Sequence, residues 1–439
     1  MERKYGKFAG FLIAALVFGT FFIAEAIPGA AEEITLQLWS GYPEMEPYYE
    51  LAIKDYQKEH PDVRIQISTY ALRDFERKIN ISVPTGTGPD FFEGHVYLTQ
   101  PLIEAGCIVA NPSQVDSFLK SGEFFELMVK DNTYQERTYG LPVFQSTDVM
   151  FWNKKMFIEA ALPGPPATWQ DMMSYAKKLA KYDAKGNLIR SGISLRLSGA
   201  GSGVAAKWWY FLRVAGGDLF VETPSGKYHS GYDNIAGRDT LKLYIDLVHK
   251  DKVDNFKIKH DAEAFALEKT AMFIREPWVV GYLKEHAPQV DYDIGFFPKY
   301  RRWETLLYWN NLYVTKKCEH PKEVWDYIMS LSRPKYDRFL FRKIGWLPPR
   351  KGLYEKYKEL FVEIPQYKNC VVFPEGYEVY PYPKLVCTDE ALTKLAERLV
   401  KAFTRSDLVD NPKGIAKVIE EAAKETDEIL KEAGLYGVE

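Results

Sequence analysis

Apolar and polar residues alternate with two different periods along the first third of the chain. Residues 34–38 and 63–67 alternate singly, which is the period of a β-strand. The stretches EPYYELAIKDYQKEH and ALRDFERKINISV instead space their apolar residues as an amphipathic helix does, and GPDFFEG places a short apolar strand between two turns. This strand–helix–strand–helix–strand order predicts a parallel sheet covered by helices.

A second group of elements begins in YGLPVFQSTDVMFWNKKMF, where two β-rich segments meet around Pro142. PPATWQDMMSYAKKLAK predicts a helix with Thr168 as its N-cap and Asp171 three residues later. Further helices are predicted in GVAAKWWYFLRVAGG, DTLKLYIDLVHKD and HPKEVWDYIMSLSRP, and two charged amphipathic helices over residues 388–436. AFALEKTAMFIREPW and YDIGFFP predict buried strands. We therefore expect two α/β lobes without a flexible linker between them.

The N-terminal 26 residues have the three parts of a secretory signal peptide. Arg3, Lys4 and Lys7 precede an apolar run over residues 8–23, and Ala24-Glu25-Ala26 has the pattern of a cleavage site. An uncleaved anchor is the alternative, because the run approaches the length that crosses a bilayer. No cysteine near this site could carry a lipid, so we expect an exported protein, periplasmic or extracellular, without a lipobox.

The composition argues against nucleic-acid binding and suggests aromatic binding surfaces. The 439 residues carry a formal net charge of -3 and are 46% hydrophobic, which fits two globular domains and offers no basic surplus for nucleic acid. Aromatic residues reach 15%, with 10 Trp and 29 Tyr, which suggests aromatic binding surfaces. Of the four cysteines, Cys370 and Cys387 flank a Pro/Tyr-rich loop and are the better candidates for a disulfide outside the cytoplasm. Four buried thiols are the alternative.

Five motifs follow one another across nearly the whole chain beyond the N-terminal segment: ITLQLWSGYPE, TGTGPDFFEGHVYLTQPLIEAGCI, YGLPVFQSTDVMFWNKKMF, AMFIREPWVVGYL and IGWLPPRKG. In this order they resemble the extracellular solute-binding proteins of ABC importers, in the maltose-binding-protein-like group. The resemblance implies an α/β, two-lobed periplasmic-binding-protein (type II) fold, each lobe a mainly parallel sheet covered by helices. It also implies a ligand cleft between the lobes and delivery to ABC permease transmembrane subunits. We further expect a monomer without cofactor or metal.

The resemblance also places the segments that cross between the lobes near residues 142–150 and 300–312. We expect residues 32–145 and about 311–345 in lobe 1. Residues 146–310 and much of 350–439, with the C-terminal helices, are expected in lobe 2. A hinge of this kind needs only a few residues to change their backbone dihedral angles.

The first candidate ligand contacts follow predicted strands, because open α/β sheets bind ligands beyond the carboxyl ends of their strands. They are Trp39, Tyr42 and Glu44 after the first strand, and Glu93, His95 and Tyr97 after the third. Glu44 could bind sugar hydroxyls or stand in a solvated turn, and His95 could be structural instead. Gly94 stands where members of the family often carry a tryptophan, so the resemblance does not extend to maltose as the ligand.

The crossings and the second lobe supply the other candidates. They are Gln145, Ser146, Asp148, Trp208, Trp209, Trp278, Trp309, Asn310, Trp346 and Tyr377. Trp278 matches the family's cleft tryptophan and follows Pro277, which fixes the backbone there; a core role is the alternative. Trp208 and Trp209 are adjacent on a predicted helix, so we expect one in the core and the other at the cleft. Amides and carboxylates at the crossings would pair with ligand hydroxyls or with hinge backbone.

Together these features predict an ABC-importer substrate-binding protein, not an enzyme. We expect it to capture a saccharide, an oligosaccharide, by aromatic stacking and hydroxyl hydrogen bonds. The alternative ligand is an anionic polyol such as a glycerol phosphate derivative, because the Gly-rich SGAGSG precedes a predicted helix that carries Lys207, and helix N-termini bind anions. An exported glycosidase is a third interpretation, but no acidic pair is singled out by its spacing.

Overall fold

The computed structural model describes residues 33–258 and 262–438, so the predicted signal peptide lies outside the described residues. Its strands are β1 Ile34–Ser40, β2 Val63–Thr69, β3 Phe91–Gly94, β4 Thr133–Tyr134, β5 Arg137–Thr138, β6 Leu141–Thr147, β7 Val149–Asn153, β8 Lys181–Tyr182, β9 Leu188–Arg190, β10 Phe220–Glu222, β11 Tyr228–Ser230, β12 Met272–Arg275, β13 Tyr292–Gly295, β14 Glu304–Val314 and β15 Glu378–Tyr380.

Its α-helices are α1 Glu46–Glu59, α2 Leu72–Ser82, α3 Val96–Glu104, α4 Ser113–Leu119, α5 Glu126–Asp131, α6 Lys154–Glu159, α7 Trp169–Leu179, α8 Gly203–Val214, α9 Ile235–Ile245, α10 Ala262–Ala266, α11 Trp278–His286, α12 Pro321–Ser330, α13 Pro334–Phe339, α14 Leu353–Lys356, α15 Lys358–Glu363, α16 Lys368–Val371, α17 Thr388–Phe403 and α18 Pro412–Glu432. Within the described part of the chain, no helix combines the length and the apolar character needed to cross a bilayer.

The larger sheet has the strand order β15-β14-β3-β1-β2, and β6 also pairs with β14. Strand β1 runs parallel to β2 and β3, whereas β14 runs antiparallel to β3 and β6. Leu36 and Leu38 of β1 point into the core because alternate residues of a strand face the same side. Helix α1 covers this side with Tyr49 and Ile53, four residues apart on one helical face.

The smaller sheet has the order β12-β7-β13, and both pairings are antiparallel. The prediction of a mainly parallel sheet in each lobe is therefore wrong for this sheet. A strand that is buried on both faces has the same apolar pattern in either direction, so its direction depends on the connections and not on its own residues. Here β12 and β13 both run opposite to the central strand β7.

The two sheets meet where β6 passes into β7. Strand β6 ends at Thr147 in the larger sheet and β7 begins at Val149 in the smaller one, so Asp148 is the single residue between them. The predicted crossing near residues 142–150 coincides with this junction. The other boundaries of the predicted lobes stay a prediction.

Two predictions of individual helices and caps are confirmed, and one strand prediction is wrong. The Thr168 hydroxyl accepts from the Asp171 N–H at 3.0 Å while the Asp171 carboxylate accepts from the Thr168 N–H, so the predicted cap of α7 is confirmed. The two predicted C-terminal helices are confirmed as α17 and α18. The strand predicted in AFALEKTAMFIREPW is wrong for residues 264–266, which belong to α10, because a short buried apolar run fits either element.

All four cysteines are free thiols, so the candidate pair Cys370 and Cys387 is not bonded and the alternative of free thiols holds. Cys370 packs in a cluster of apolar residues with Tyr367 and Leu360. Cys387 precedes α17 and packs in a different, larger cluster. The loop between them therefore carries the two thiols to separate parts of the core, although they are close in sequence.

Candidate ligand-binding site

A cleft of about 690 Å³ lies between the elements of the two sheets. Loops and helices that follow β1, β2 and β3 contribute what we call the first wall: Tyr42, Glu44, Arg73, His95 and Tyr97. Helix α8 and the segment that joins β12 to α11 contribute the second wall: Lys207, Tyr210, Arg275, Glu276 and Trp278. Tyr308, Trp346 and Tyr382 also line the cleft.

The first wall presents aromatic rings around a neutral histidine. The Tyr42 hydroxyl and His95 Nε2 share a hydrogen bond of 2.7 Å, and the His95 ring stacks on Tyr97 with centroids 5.2 Å apart. Burial lowers the pKa of His95 to about 3, because the charged imidazolium would lose its water. The wall therefore offers polar edges and ring faces without a positive charge from this imidazole.

Glu93 and Asn310 lie behind the first wall and do not line the cleft. Both are fully buried, and the Glu93 carboxylate accepts hydrogen bonds from Asn310 Nδ2 at 2.7 Å, Tyr49 OH at 2.6 Å and Ser40 Oγ at 2.9 Å. Burial raises the pKa of Glu93 to about 7 in spite of these three donors. The network ties β1, α1, β3 and β14 together, and it supports the wall without contacting a ligand.

The second wall is organised around a buried lysine. Lys207 Nζ donates to Asp148 Oδ1 at 2.8 Å and to Glu276 Oε1 at 2.7 Å, and it lies 4.6 Å from the centre of the Tyr210 ring. Burial raises the pKa of Asp148 to about 6 even beside Lys207. Burial also pushes the pKa of Glu276 upward, but Arg275 and Lys207 together bring it below its usual range. The charge of Lys207 is thus matched inside the protein.

Trp278 lies at the start of α11, where β12 has just ended and Pro277 caps the helix. Its indole is half-buried and lines the cleft. Indole Nε1 donates to Glu276 Oε2 at 3.1 Å, and the Arg275 guanidinium lies 5.3 Å from the ring centre. The segment EPW therefore places a tryptophan, its hydrogen-bond acceptor and a cation at one edge of the cleft.

Glu44 and Trp346 form a polar contact between different parts of the lining. Trp346 Nε1 donates to Glu44 Oε1 at 3.2 Å, and the Trp346 ring stacks on Phe144 with centroids 4.6 Å apart. Trp346 is buried, whereas Glu44 is open to solvent. The second oxygen of Glu44 is thus accessible to a donor such as a ligand hydroxyl.

The structure brings six of the predicted residues to the cleft: Tyr42, Glu44, His95, Tyr97, Trp278 and Trp346. It places ten of them outside its lining: Trp39, Glu93, Gln145, Ser146, Asp148, Trp208, Trp209, Trp309, Asn310 and Tyr377. Asp148 nevertheless contacts Lys207 of the second wall. Most of the others form hydrogen bonds or ring contacts with residues in the interior.

Neither tryptophan of the adjacent pair in α8 lines the cleft, although one was expected there. Trp208 packs edge-on against Tyr232 with ring centres 5.8 Å apart. Trp209 donates from Nε1 to Asp218 Oδ1 at 2.8 Å. The residues of α8 from Gly203 to Leu212 are all buried, so the helix hides side chains on every face and adjacent rings need not divide between core and cleft.

Gln145 and Ser146 at the predicted crossing contact backbone carbonyl groups. Gln145 Nε2 donates to the Arg350 carbonyl at 3.2 Å, and Ser146 Oγ lies 3.5 Å from the Thr147 carbonyl oxygen. Gln145 and Ser146 line a separate pocket of about 330 Å³. This is the alternative role that the sequence left open for them.

Three further aromatic residues have partners away from the cleft. Trp309 Nε1 donates to Asn132 Oδ1 at 3.2 Å. The Tyr377 hydroxyl accepts from the Phe297 N–H at 3.2 Å. The half-buried Trp39 meets Tyr70 edge-on with ring centres 5.5 Å apart, and Lys78 Nζ lies 4.6 Å from its ring.

Sequence reasoning missed Arg73, which joins the two walls. Arg73 Nη1 donates to Glu76 Oε2 at 2.6 Å within the first wall and to Ser202 Oγ at 3.0 Å just before α8. A Cβ atom at Gly201 would lie 3.1 Å from Arg73 Cδ, and one at Gly203 would lie 2.9 Å from Arg196 Cζ. The glycines of SGAGSG thus make room for two arginine side chains. The position of Arg73 in the sequence gives no sign that it lies beside this loop.

Arg275 and Glu276 were also missed, although they directly precede Pro277 and Trp278. Their position beside a candidate aromatic residue was an available signal. Over residues 33–258 and 262–438, no group of three or more His, Cys, Asp or Glu side chains is arranged to hold a metal ion.

The model of the bacterial extracellular solute-binding protein family matches residues 52–369. The chain belongs to this family. A putative binding protein of Brucella abortus is 21% identical over 347 residues, covering 77% of this chain and 81% of that protein. The sn-glycerol-3-phosphate-binding periplasmic protein of Escherichia coli is 22% identical over 366 residues, covering 76% and 78%.

Two solved structures show the fold of this family member. The substrate-binding protein of Listeria monocytogenes in complex with cycloalternan has a TM-score of 0.77 at 16% identity, covering 91% of this chain and 99% of that chain. The solute-binding protein of Thermotoga lettingae bound with alpha-D-tagatose has a TM-score of 0.74 at 20% identity, covering 90% and 100%. The predicted α/β, two-lobed periplasmic-binding fold is confirmed.

Proposed function

We propose that this family member is the substrate-binding protein of an ABC importer. It captures a saccharide, an oligosaccharide, in the cleft between its two walls and delivers it to the permease subunits in the membrane. The observation that carries this proposal is the composition of the cleft, where aromatic rings from both walls surround the ion pairs of Lys207 with Glu276 and of Arg73 with Glu76. We also propose that it acts as a monomer outside the cytoplasm after removal of residues 1–26.

The cleft has the size and the chemistry that a neutral sugar needs. Its volume of about 690 Å³ lies within the range of roughly 300–1,000 Å³ for small-molecule sites. Ring faces such as that of Trp278 can pack against the C–H face of a pyranose, at about 0.5–1.5 kcal/mol beyond area burial if aromatic pairs are a guide. The outer oxygen of Glu44 and the hydroxyls of Tyr210 and Tyr382 can pair with sugar hydroxyls.

Two structural relatives support a saccharide as the ligand, because one was solved with cycloalternan and the other with alpha-D-tagatose. A micromolar affinity needs about 8 kcal/mol, which a few stacked rings and paired hydroxyls can supply. We infer an oligosaccharide because rings line both walls of the cleft.

The glycerol phosphate alternative has the support of the Escherichia coli relative, but the charges of this cleft favour a neutral ligand. Lys207 is paired with Asp148 and Glu276, and Arg73 is paired with Glu76. Arg275 also contacts Glu276, with Nη1 2.9 Å from Oε2. An anionic ligand would have to displace these carboxylates, whereas a sugar leaves them in place.

The glycosidase interpretation meets an electrostatic objection in the same residues. A general acid in such an enzyme needs a carboxyl group whose pKa is raised. Loss of water inside the cleft raises the pKa of Glu44, so Glu44 meets this requirement. The pKa of Glu276 is lowered by Arg275 and Lys207, which outweigh burial, and its oxygens are paired with Lys207, Arg275 and Trp278, so it is not free to act as the second carboxylate. We therefore infer binding without hydrolysis, and chromatography of an oligosaccharide after long incubation with the protein should return it unchanged.

Thermal unfolding against a ligand library tests the proposed function. The protein from residue 33 onward is heated with neutral mono- and oligosaccharides and, in parallel, with glycerol phosphates. A ligand at 100 times its dissociation constant adds about 2.7 kcal/mol and raises the midpoint by a few degrees. We expect a rise with one class of neutral glycan. A rise with glycerol phosphates alone would overturn the saccharide proposal.

A further inference from the structure

We propose that Glu276 is a positioning residue that holds the indole of Trp278 in the orientation in which it meets the ligand. Glu276 acts through Trp278 and not through its own contact with the sugar. The proposal rests on the proposed function, since Trp278 is taken as a ligand contact. It goes further by assigning a role to the glutamate and lysine of the second wall.

Both carboxylate oxygens of Glu276 are in contact with neighbouring side chains. Oε1 accepts from Lys207 Nζ at 2.7 Å and from Arg275 Nη1 at 3.2 Å. Oε2 accepts from Trp278 Nε1 at 3.1 Å and lies 2.9 Å from Arg275 Nη1. A carboxylate has about four lone-pair sites, and these four contacts use them. Glu276 lines the cleft but is 6% exposed, so little of its surface is left for a contact of its own with a ligand.

Trp278 needs an external restraint on its ring. The rotation of an indole about its outer side-chain bond is broad and is not fixed by the backbone, although Pro277 fixes the chain just before it. The hydrogen bond from Nε1 to Glu276 restrains one edge of the ring. The Arg275 guanidinium lies over the ring at 5.3 Å, and Tyr282 meets it edge-on with ring centres 5.9 Å apart.

Glu276 is itself held by a buried ion cluster. Lys207 bridges Glu276 to Asp148, the residue between β6 and β7 where the chain passes from one sheet to the other. Lys207 is 8% exposed and Asp148 is fully buried, so salt screens their attraction much less than it screens a surface pair. Asp148 at the crossing thus holds Lys207, Lys207 holds Glu276, and Glu276 restrains the orientation of Trp278.

The first test uses the protein without any ligand. In protein labelled with ¹⁵N at its tryptophans, the indole N–H signal of Trp278 is assigned by its loss in Trp278→Phe. We expect Glu276→Gln and Glu276→Asp to shift this signal and to speed its exchange with water at least about tenfold, since the hydrogen bond is weakened. Glu285→Gln is the matched control, because Glu285 lines the same cleft on α11 and is exposed. An unchanged Trp278 signal in both Glu276 variants would overturn the proposal.

The second test is a double-mutant cycle with neutral trisaccharides, measured by calorimetry. We expect Glu276→Gln to weaken binding about three- to tenfold in the native background, which corresponds to the value of one aromatic contact. In the Trp278→Phe background, where the ring has no N–H, the same change should weaken binding less than about twofold. Equal losses in both backgrounds would contradict positioning through Trp278.

The two tests separate the inference from the proposed function. If no trisaccharide binds the native protein, the proposed function fails, while the indole signal still decides whether Glu276 restrains Trp278. Circular dichroism and thermal unfolding of each variant show whether it folds. A purely structural role of Glu276 would lower the unfolding midpoint and leave the indole exchange of the remaining folded protein unchanged.

Discussion

The two walls of the cleft present similar aromatic surfaces, but they are supported in different ways. Behind the first wall, Glu93 is held by three neutral donors, and His95 is kept uncharged by burial. In the second wall, Lys207 and Arg275 balance the carboxylates of Asp148 and Glu276. The comparison shows that an aromatic wall of a cleft can rest either on neutral hydrogen bonds or on matched charges, and each support responds differently to pH and mutation.

Removal of the central cation should have the largest effect. Lys207→Met leaves Asp148 and Glu276 close together without their shared partner, so we expect the free energy of unfolding to fall by about 3–5 kcal/mol. Denaturant unfolding measures this. Lys322→Met is the control, because Lys322 pairs with Asp326 on the surface and should cost no more than about 1 kcal/mol. Equal effects of the two changes would show that the second wall does not depend on its ion cluster.

The first wall should respond to pH through Glu93. Its pKa is about 7 when folded against 4.5 when unfolded, so the folded state keeps a proton that the unfolded state loses. The contribution of Glu93 to stability is therefore present below 4.5 and is lost as pH rises toward 7. Relative to the native protein, Glu93→Gln should gain up to about 3 kcal/mol between these limits.

Denaturant unfolding at a series of pH values measures this difference. Glu50→Gln on the exposed side of α1 is the control and should give a flat difference. A flat difference for Glu93→Gln as well would contradict the raised pKa.

His95 should have the opposite pH dependence and an effect of similar size. Its pKa is about 3 when folded and 6.5 when unfolded, so protons favour the unfolded state as pH falls below 6.5. We expect His95→Gln to remove about 3 kcal/mol of this acid sensitivity between pH 6.5 and 4. Unfolding curves across that range provide the check, with exposed His286→Gln as the control from the same cleft. Identical acid sensitivity in the native protein and His95→Gln would refute it.

The hydrogen bond between Arg73 and Ser202 should contribute least to stability. Ser202→Ala removes the hydroxyl that Arg73 Nη1 reaches across the cleft at 3.0 Å, and we expect a loss of at most about 1 kcal/mol. The change should instead appear as a larger radius of gyration in small-angle scattering without ligand, because one bond that holds the walls together is gone. An unchanged radius would mean that this bond does not restrain the cleft.

Local chemistry made part of this structure predictable from the sequence. The Thr168 cap, the paired C-terminal helices and the position of Trp278 after a strand each depend on residues that are neighbours in the chain. The fold followed from the order of motifs, and six of the predicted residues line the cleft.

The remaining features depend on partners that are distant in the sequence. Lys207 meets Asp148 and Glu276 across 59 and 69 positions, and no spacing rule connects them. One of Trp208 and Trp209 was expected at the cleft, but both lie in the interior, because α8 is buried and Trp209 donates to Asp218. Strand direction in the smaller sheet likewise depends on connections and not on the strands themselves.

The most direct test of the central claim is a calorimetric titration of the protein from residue 33 onward with the neutral glycan that most raises its unfolding midpoint. Native protein, Trp278→Ala and Trp39→Ala are compared, because Trp278 lines the cleft and Trp39 packs on Tyr70 outside it. We expect saturable binding that weakens at least about tenfold in Trp278→Ala and stays within twofold in Trp39→Ala. Binding that is lost equally in both variants, or kept in both, would contradict it.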